Sequence, residues 1–213
     1  MTIFPEMCRE TFLETLRERR LLAIVRGGDA DAALRTVITL AEHGVDLIEV
    51  SLVTADALRV IRDARKALGE AAGLGAGTVV TADDARRAAD AGASYLVTPA
   101  VSEGVRAGHE LGLPVLAGAL TPTEVVAALD AGAAAIKLFP ASLGGVRHLR
   151  ALRDPFPKVP FVPVGGVGVA EAREYLTAGA VAVGVGSPLV GDAADGGGVE
   201  ALKGRISGFL EAL

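Results

Sequence analysis

Residues 131–140 read Ala131-Gly132-Ala133-Ala134-Ala135-Ile136-Lys137-Leu138-Phe139-Pro140. Gly132 ends a helix, an apolar strand follows, and Pro140 stops it, because proline cannot continue a central sheet strand. Side chains alternate along a strand, so Ala135, Lys137 and Phe139 face one way and Ile136 and Leu138 the other. One charged residue therefore stands in the middle of a buried strand. Lysine is seldom fully buried unless something pairs with it or uses it. A lysine stripped of hydration is a candidate amine nucleophile for a carbonyl. The alternative is a long stem that carries its charge past the strand end to water.

The same punctuation recurs along the chain. Ala91-Gly92-Ala93 and Ala178-Gly179-Ala180 repeat the Ala131-Gly132-Ala133 signature, and Gly44, Gly69 and Gly112 join the series. Asp154-Pro155 closes one further helix. From Gly44 to Gly132 the intervals are 20 to 25 residues, the length of one strand plus one helix with short loops. Apolar runs follow these stops at 47–52, 74–79, 95–97, 114–117, 135–139 and 181–185, a further run spans 161–164, and 21–26 precedes them all. The pattern predicts eight strands.

The segments between the runs are amphipathic. Leu34, Val37, Ile38 and Ala41 keep the spacing of one helix face. Thr121-Pro122-Thr123-Glu124 is a capping box with proline at the first helical position, and Thr81-Ala82-Asp83-Asp84 is a weaker version of the same start. Alternating strands and helices, with the strands nearly continuously apolar, predict an α/β fold: a parallel sheet closed as a (β/α)8 TIM barrel. The stretch from Glu6 to Arg19 reads as an extra N-terminal helix closing one end of the barrel, within a single domain spanning 1–213. An open doubly wound sheet is the alternative. Against it, Gly75-Ala76-Gly77 and Gly184-Val185-Gly186 carry Val80 and Leu189 where a dinucleotide fingerprint needs its third glycine.

Composition narrows the functional classes. The chain is 51% hydrophobic and 4% aromatic with no tryptophan, so one sizeable core is built from Ala, Val, Leu and Ile. A net charge of −5 without a basic run argues against nucleic acid as a partner. The N-terminus lacks the apolar core of a signal peptide, and the longest uncharged run, 175–191, contains Gly179, Gly184, Gly186 and Pro188, which fits a strand and turn rather than a membrane span. Cys8 is the only cysteine; it forms no internal disulfide and suits a reducing cytoplasm. His43, His109 and His148 are dispersed among helical segments with no metal-ligand spacing, so no metal or other cofactor is expected.

Barrel chemistry collects at the C-terminal ends of the strands. There the chain carries Arg26, Glu49, Thr78, Pro99 and Lys137. Ile48, Val50 and Leu52 suit the helix layer, which turns Glu49 inward. A buried carboxyl and a buried lysine in one barrel suggest an acid–base group beside an amine nucleophile; a structural ion pair is the other possibility. Gly165-Gly166 and Gly186-Ser187 follow the seventh and eighth strands, where barrels often bind phosphate on backbone N–H groups.

In order along the chain stand Ala23-Ile24-Val25-Arg26-Gly27, Ile48-Glu49-Val50-Ser51-Leu52, Gly75-Ala76-Gly77-Thr78-Val79, Val97-Thr98-Pro99, Gly118-Ala119-Leu120-Thr121-Pro122-Thr123-Glu124, Ile136-Lys137-Leu138-Phe139-Pro140, and Gly165-Gly166 with Gly186-Ser187. From about residue 20 to 190 the chain resembles the class I 2-keto-3-deoxy-6-phosphogluconate (KDPG) aldolases. Those include relatives acting on the galactonate epimer or on 4-hydroxy-2-oxoglutarate. The resemblance implies a metal-independent carbon–carbon lyase that releases pyruvate from a phosphorylated 2-keto-3-deoxy sugar acid. It implies Schiff-base formation by Lys137 and proton transfer by Glu49. Arg26 and Thr78 would then hold the carboxylate end, Pro99 and Phe139 shape the pocket, and Gly165, Gly166, Gly186 and Ser187 bind phosphate. A homotrimer is implied as well.

Two positions depart from the family pattern. Val53 stands four residues after the glutamate, where the gluconate branch often has arginine, and Val164 stands before the paired glycines, where it often has threonine. Both bear on substrate choice and neither on the reaction class. A phosphosugar epimerase, a thiamin-phosphate-synthase-like transferase and a non-catalytic phosphosugar-binding barrel would share the glycines but leave Lys137 without an imine to form.

Overall fold

Eight short parallel strands alternate with helices in the computed structural model, which describes residues 7–213. The elements run α1 Arg9–Arg19, β1 Leu21–Val25, α2 Ala30–Glu42, β2 Leu47–Ser51, α3 Ala57–Leu68, β3 Gly73–Gly77, α4 Ala82–Asp90, β4 Tyr95–Val97 and α5 Glu103–Glu110. They continue as β5 Val115–Ala119, α6 Pro122–Asp130, β6 Ala135–Leu138, α7 Gly145–Arg153, β7 Phe161–Pro163, α8 Val169–Thr177, β8 Val183–Val185, α9 Ser187–Val190 and α10 Val199–Leu210. Single 3-10 turns occupy Ala141–Leu143 and Ala193–Asp195.

The predicted helix stops hold. Gly44, Gly69, Gly92, Gly112, Gly132 and Gly179 all take positive φ, between 77° and 100°, the left-handed turn that lets each chain segment reverse into the next strand. Glu124 Oε2 accepts from the N–H of Thr121 while the Thr121 hydroxyl accepts from the N–H of Glu124. Thr81 and Asp84 make the same reciprocal pair, so the weaker-looking start is a full capping box.

The strand order is β7-β6-β5-β4-β3-β2-β1-β8, and each adjacent pair in it is parallel, as the expected barrel requires. The seam between β7 and β8 closes through a parallel bridge between Val164 and Gly184 and a 3.0 Å hydrogen bond from the Val181 N–H to the Phe161 carbonyl. The apolar run at 74–79 ends as a strand at Gly77, because Thr78 adopts φ 59° and turns the chain out of the sheet.

Alternation sorts the side chains into two cores. Ile48, Val50, Ile136 and Leu138 pack outward with Val37, Leu40, Val60 and Ile61 of the helices. Leu22, Ile24, Leu47, Tyr95, Val97, Leu116, Ala135 and Val162 fill the barrel. Phe12 and Leu16 of α1 belong to this inner group and are fully buried, so α1 closes the barrel as expected, each side chain stabilising the fold by roughly 1.5–3 kcal/mol. The observed helix starts after Cys8, whose exposed thiol accepts from the Thr11 N–H; Glu6, the expected start, lies outside the described residues.

Candidate active site

β6 sets Lys137 between Gly118 of β5 and Val162 of β7. The residue is 6% exposed, and its Nζ stands 4.9 Å from the ring centroid of Phe139, within range of a cation–π attraction. Gly118 is required here for space: a β-carbon would run into the backbone of Pro99, so strand β5 comes close to the β4 turn that carries this proline.

β2 sets Glu49 between Ile24 of β1 and Gly75 of β3, with 1% of its surface exposed. Its side chain leans over Gly77, where a β-carbon would overlap Oε1. Burial pushes the Glu49 carboxyl above the usual carboxylate range, and the positive charges of Lys137 and Arg26 offset part of that effect. Oε2 has no hydrogen-bond partner among the described residues. Among the described residues, ion pairs within 4.0 Å join surface side chains, and none joins Glu49 to Lys137. The expected ion-pair alternative is thus not met at contact distance. Two ionisable groups share the barrel interior without neutralising each other directly.

A cleft of about 370 Å³ opens next to Phe139, whose ring faces Lys137, and neither Lys137 nor Glu49 is in its lining. It is lined by Arg26 from the end of β1, by Phe139, by Gly165 and Gly166 after β7, and by Gly186 and Ser187 after β8, so six of the sequence-predicted residues meet there. Gly165 and Gly166 take φ 96° and 76°, a pair of left-handed residues that brings bare backbone to the cleft wall. Val164 lines the same cleft.

Thr78 and Pro99 do not line it. They sit on the opposite part of the mouth, after β3 and β4, where the Thr78 hydroxyl lies 2.7 Å from that of Ser51. Ser51, Tyr95 and Asp195 went unnoticed in the sequence. Ser51 shares the inward parity of Glu49, a signal that was available. Asp195 enters the cleft from a 3-10 turn past the last strand and accepts from the Gly28 N–H at 2.5 Å. Among the described residues no three His, Cys, Asp or Glu side chains are grouped to hold a metal, and no helix is long and apolar enough to cross a membrane.

Comparison with known proteins places this geometry. The family model described as KDPG and KHG aldolase matches residues 13–203. A 2-dehydro-3-deoxy-phosphogluconate aldolase of Haemophilus influenzae is 33% identical over 172 residues, covering 78% of this chain and 79% of the relative. A probable 2-dehydro-3-deoxy-6-phosphogalactonate aldolase of Rhizobium meliloti is 37% identical over 174 residues, covering 81% and 82%. The crystal structure of a Legionella pneumophila KDPG aldolase, with pyruvate captured as a covalent carbinolamine intermediate, superposes with a TM-score of 0.80 at 27% identity over 94% of this chain and 95% of its own. The chain belongs to the KDPG and KHG aldolase family and is a carbon–carbon lyase built on a (β/α)8 barrel.

Proposed function

We propose that this aldolase cleaves 2-dehydro-3-deoxy-6-phosphogluconate to pyruvate and glyceraldehyde 3-phosphate through an imine on Lys137. The observation that carries the reading is the placement of Lys137: buried in the barrel, unpaired within 4.0 Å by any carboxylate among the described residues, and in the field of a carboxyl whose burial favours its protonated form.

The Nζ lone pair of Lys137 attacks the C2 ketone, and Glu49 gives the proton that lets water leave the carbinolamine. The resulting iminium is an electron sink. Glu49, now a carboxylate, takes the proton of the C4 hydroxyl as the C3–C4 electrons move into the iminium. The aldehyde leaves and an enamine remains. Return of the proton to C3 and hydrolysis of the imine release pyruvate and restore both residues.

The rest of the mouth orients the substrate. Arg26 and Thr78 serve the carboxylate end, and Pro99 and Phe139 bound the pocket. Gly165, Gly166, Gly186 and Ser187 accept the phosphate on backbone and hydroxyl donors, which suits their common cleft. Val164 favours a second reading, in which the galactonate epimer is also a substrate, because valine offers no hydrogen bond to a chain hydroxyl. A homotrimer in the cytoplasm completes the proposal; sedimentation equilibrium tests the former. Trapping of the imine tests the reaction.

A further inference from the structure

The registers Glu49 with Gly75 and Gly75 with Tyr95 put these residues in one row across β2, β3 and β4. Gly75 has no side chain, and a β-carbon there would overlap Cε2 and Cζ of the Tyr95 ring, so the hydroxyl-bearing end of the phenol lies across the glycine that separates it from Glu49. Tyr95 is fully buried, and Phe12 of α1 holds its ring at 4.9 Å between centroids. The Tyr95 hydroxyl and Glu49 Oε2 are both buried and, among the described residues, both lack a hydrogen-bond partner. Buried hydroxyls and carboxyls are ordinarily paired, so two orphans in one row call for each other. The two make no direct hydrogen bond to each other, and a bridging water is the general alternative to a direct bond.

We infer that Tyr95 is a positioning residue for Glu49: its O–H donates through one bound water to Oε2, which leaves Oε1 to meet the substrate. The role rests on the imine mechanism above. Burial first and the charge of Glu49 second keep the phenol protonated well past its ordinary range, so it acts as a donor. The charged groups facing the pair are Lys137 of β6 and Arg26 after β1 on the Glu49 side, and Arg65 of α3 on the Tyr95 side.

The test is Tyr95→Phe, which keeps the ring against Phe12 and removes only the hydroxyl. The expected kcat falls about 10-fold, the scale of one hydrogen bond to a charged group, with KM within about twofold. The limb of the kcat–pH profile that Glu49→Gln abolishes should move to higher pH, because a lost donor disfavours the carboxylate. In the Glu49→Gln background Tyr95→Phe should cost nothing more, since its effect runs through Glu49. A Tyr95→Phe enzyme with parental kcat and pH profile, or a loss that multiplies with Glu49→Gln, overturns the role. Borohydride trapping on the parent runs alongside. A parent that forms no imine removes the mechanism itself, whereas a parent that traps normally beside an unaltered Tyr95→Phe removes Tyr95 alone.

Discussion

Gly77 leaves empty the place that Glu49 fills: a β-carbon on Gly77 would overlap the Oε1 oxygen of Glu49. Glycine in a strand interior weakens it, so Gly77 at the end of β3 is a cost to the sheet that makes room for an inward carboxyl, as Gly75 does for the Tyr95 ring. Gly77→Ala is expected to displace that carboxyl and lower kcat by on the order of 10-fold or more, the lower range of general acid–base contributions. Coupled pyruvate release and circular dichroism check it together. A folded Gly77→Ala enzyme with parental kcat would mean the carboxyl need not sit there.

Glu49→Gln should cut turnover by roughly 10²-fold or more while leaving phosphate binding intact. Stability should move the other way. Burial raises the folded-state pKa of Glu49 above its unfolded value, so the folded protein holds this proton more tightly. The stabilisation is complete below the unfolded pKa, about 4.3, and is lost as pH rises through the folded value. A neutral glutamine escapes that loss. The variant is expected to melt higher than the parent at pH 8 and within error of it near pH 4. Melting curves at the two pH values decide; a variant less stable at pH 8 would mean that the carboxylate holds the barrel together.

The barrel was legible because its punctuation is chemical. Helix-stopping glycines need left-handed backbone wherever they stand, so Gly92, Gly132 and Gly179 mark the repeat without any tertiary knowledge. Strand parity likewise turned Glu49 and Lys137 inward. What stayed hidden depends on register between strands. Tyr95 looks like an ordinary start to an apolar run until its neighbour across β3 is known to be Gly75. The left-handed turn at Thr78 was unreadable because threonine rarely adopts it, and it cost β3 its expected last residues. Asp195 reaches the cleft only by way of a turn placed by packing against Gly27, where a β-carbon would meet the Ala194 carbonyl. The division of the mouth, with Arg26 on the cleft and Thr78 and Pro99 apart from it, needed the closed barrel.

Val164 packs over Gly184 at the β7–β8 seam and lines the cleft. A hydroxyl-bearing residue there could reward one configuration of a substrate hydroxyl and leave its own polar group unpaired with the other. Valine does neither. Cleavage of the gluconate and galactonate 6-phosphates is therefore expected with kcat/KM values within roughly 100-fold of each other, the range where no dedicated hydrogen bond enforces the choice. Val164→Thr, close to isosteric, should raise the preference for the gluconate epimer. Pyruvate release from each substrate gives both ratios. Strict selectivity in the parent, or an unchanged ratio in the variant, assigns stereochoice to another residue.

The imine is the claim on which the others hang, and reduction with borohydride in the presence of pyruvate reads it directly. The expected result is irreversible inactivation with one reduced pyruvyl adduct, mapped by peptide mass to Lys137, the lysine placed inside the barrel. Activity that survives the treatment, or an adduct confined to another lysine such as Lys66 or Lys158, would contradict it.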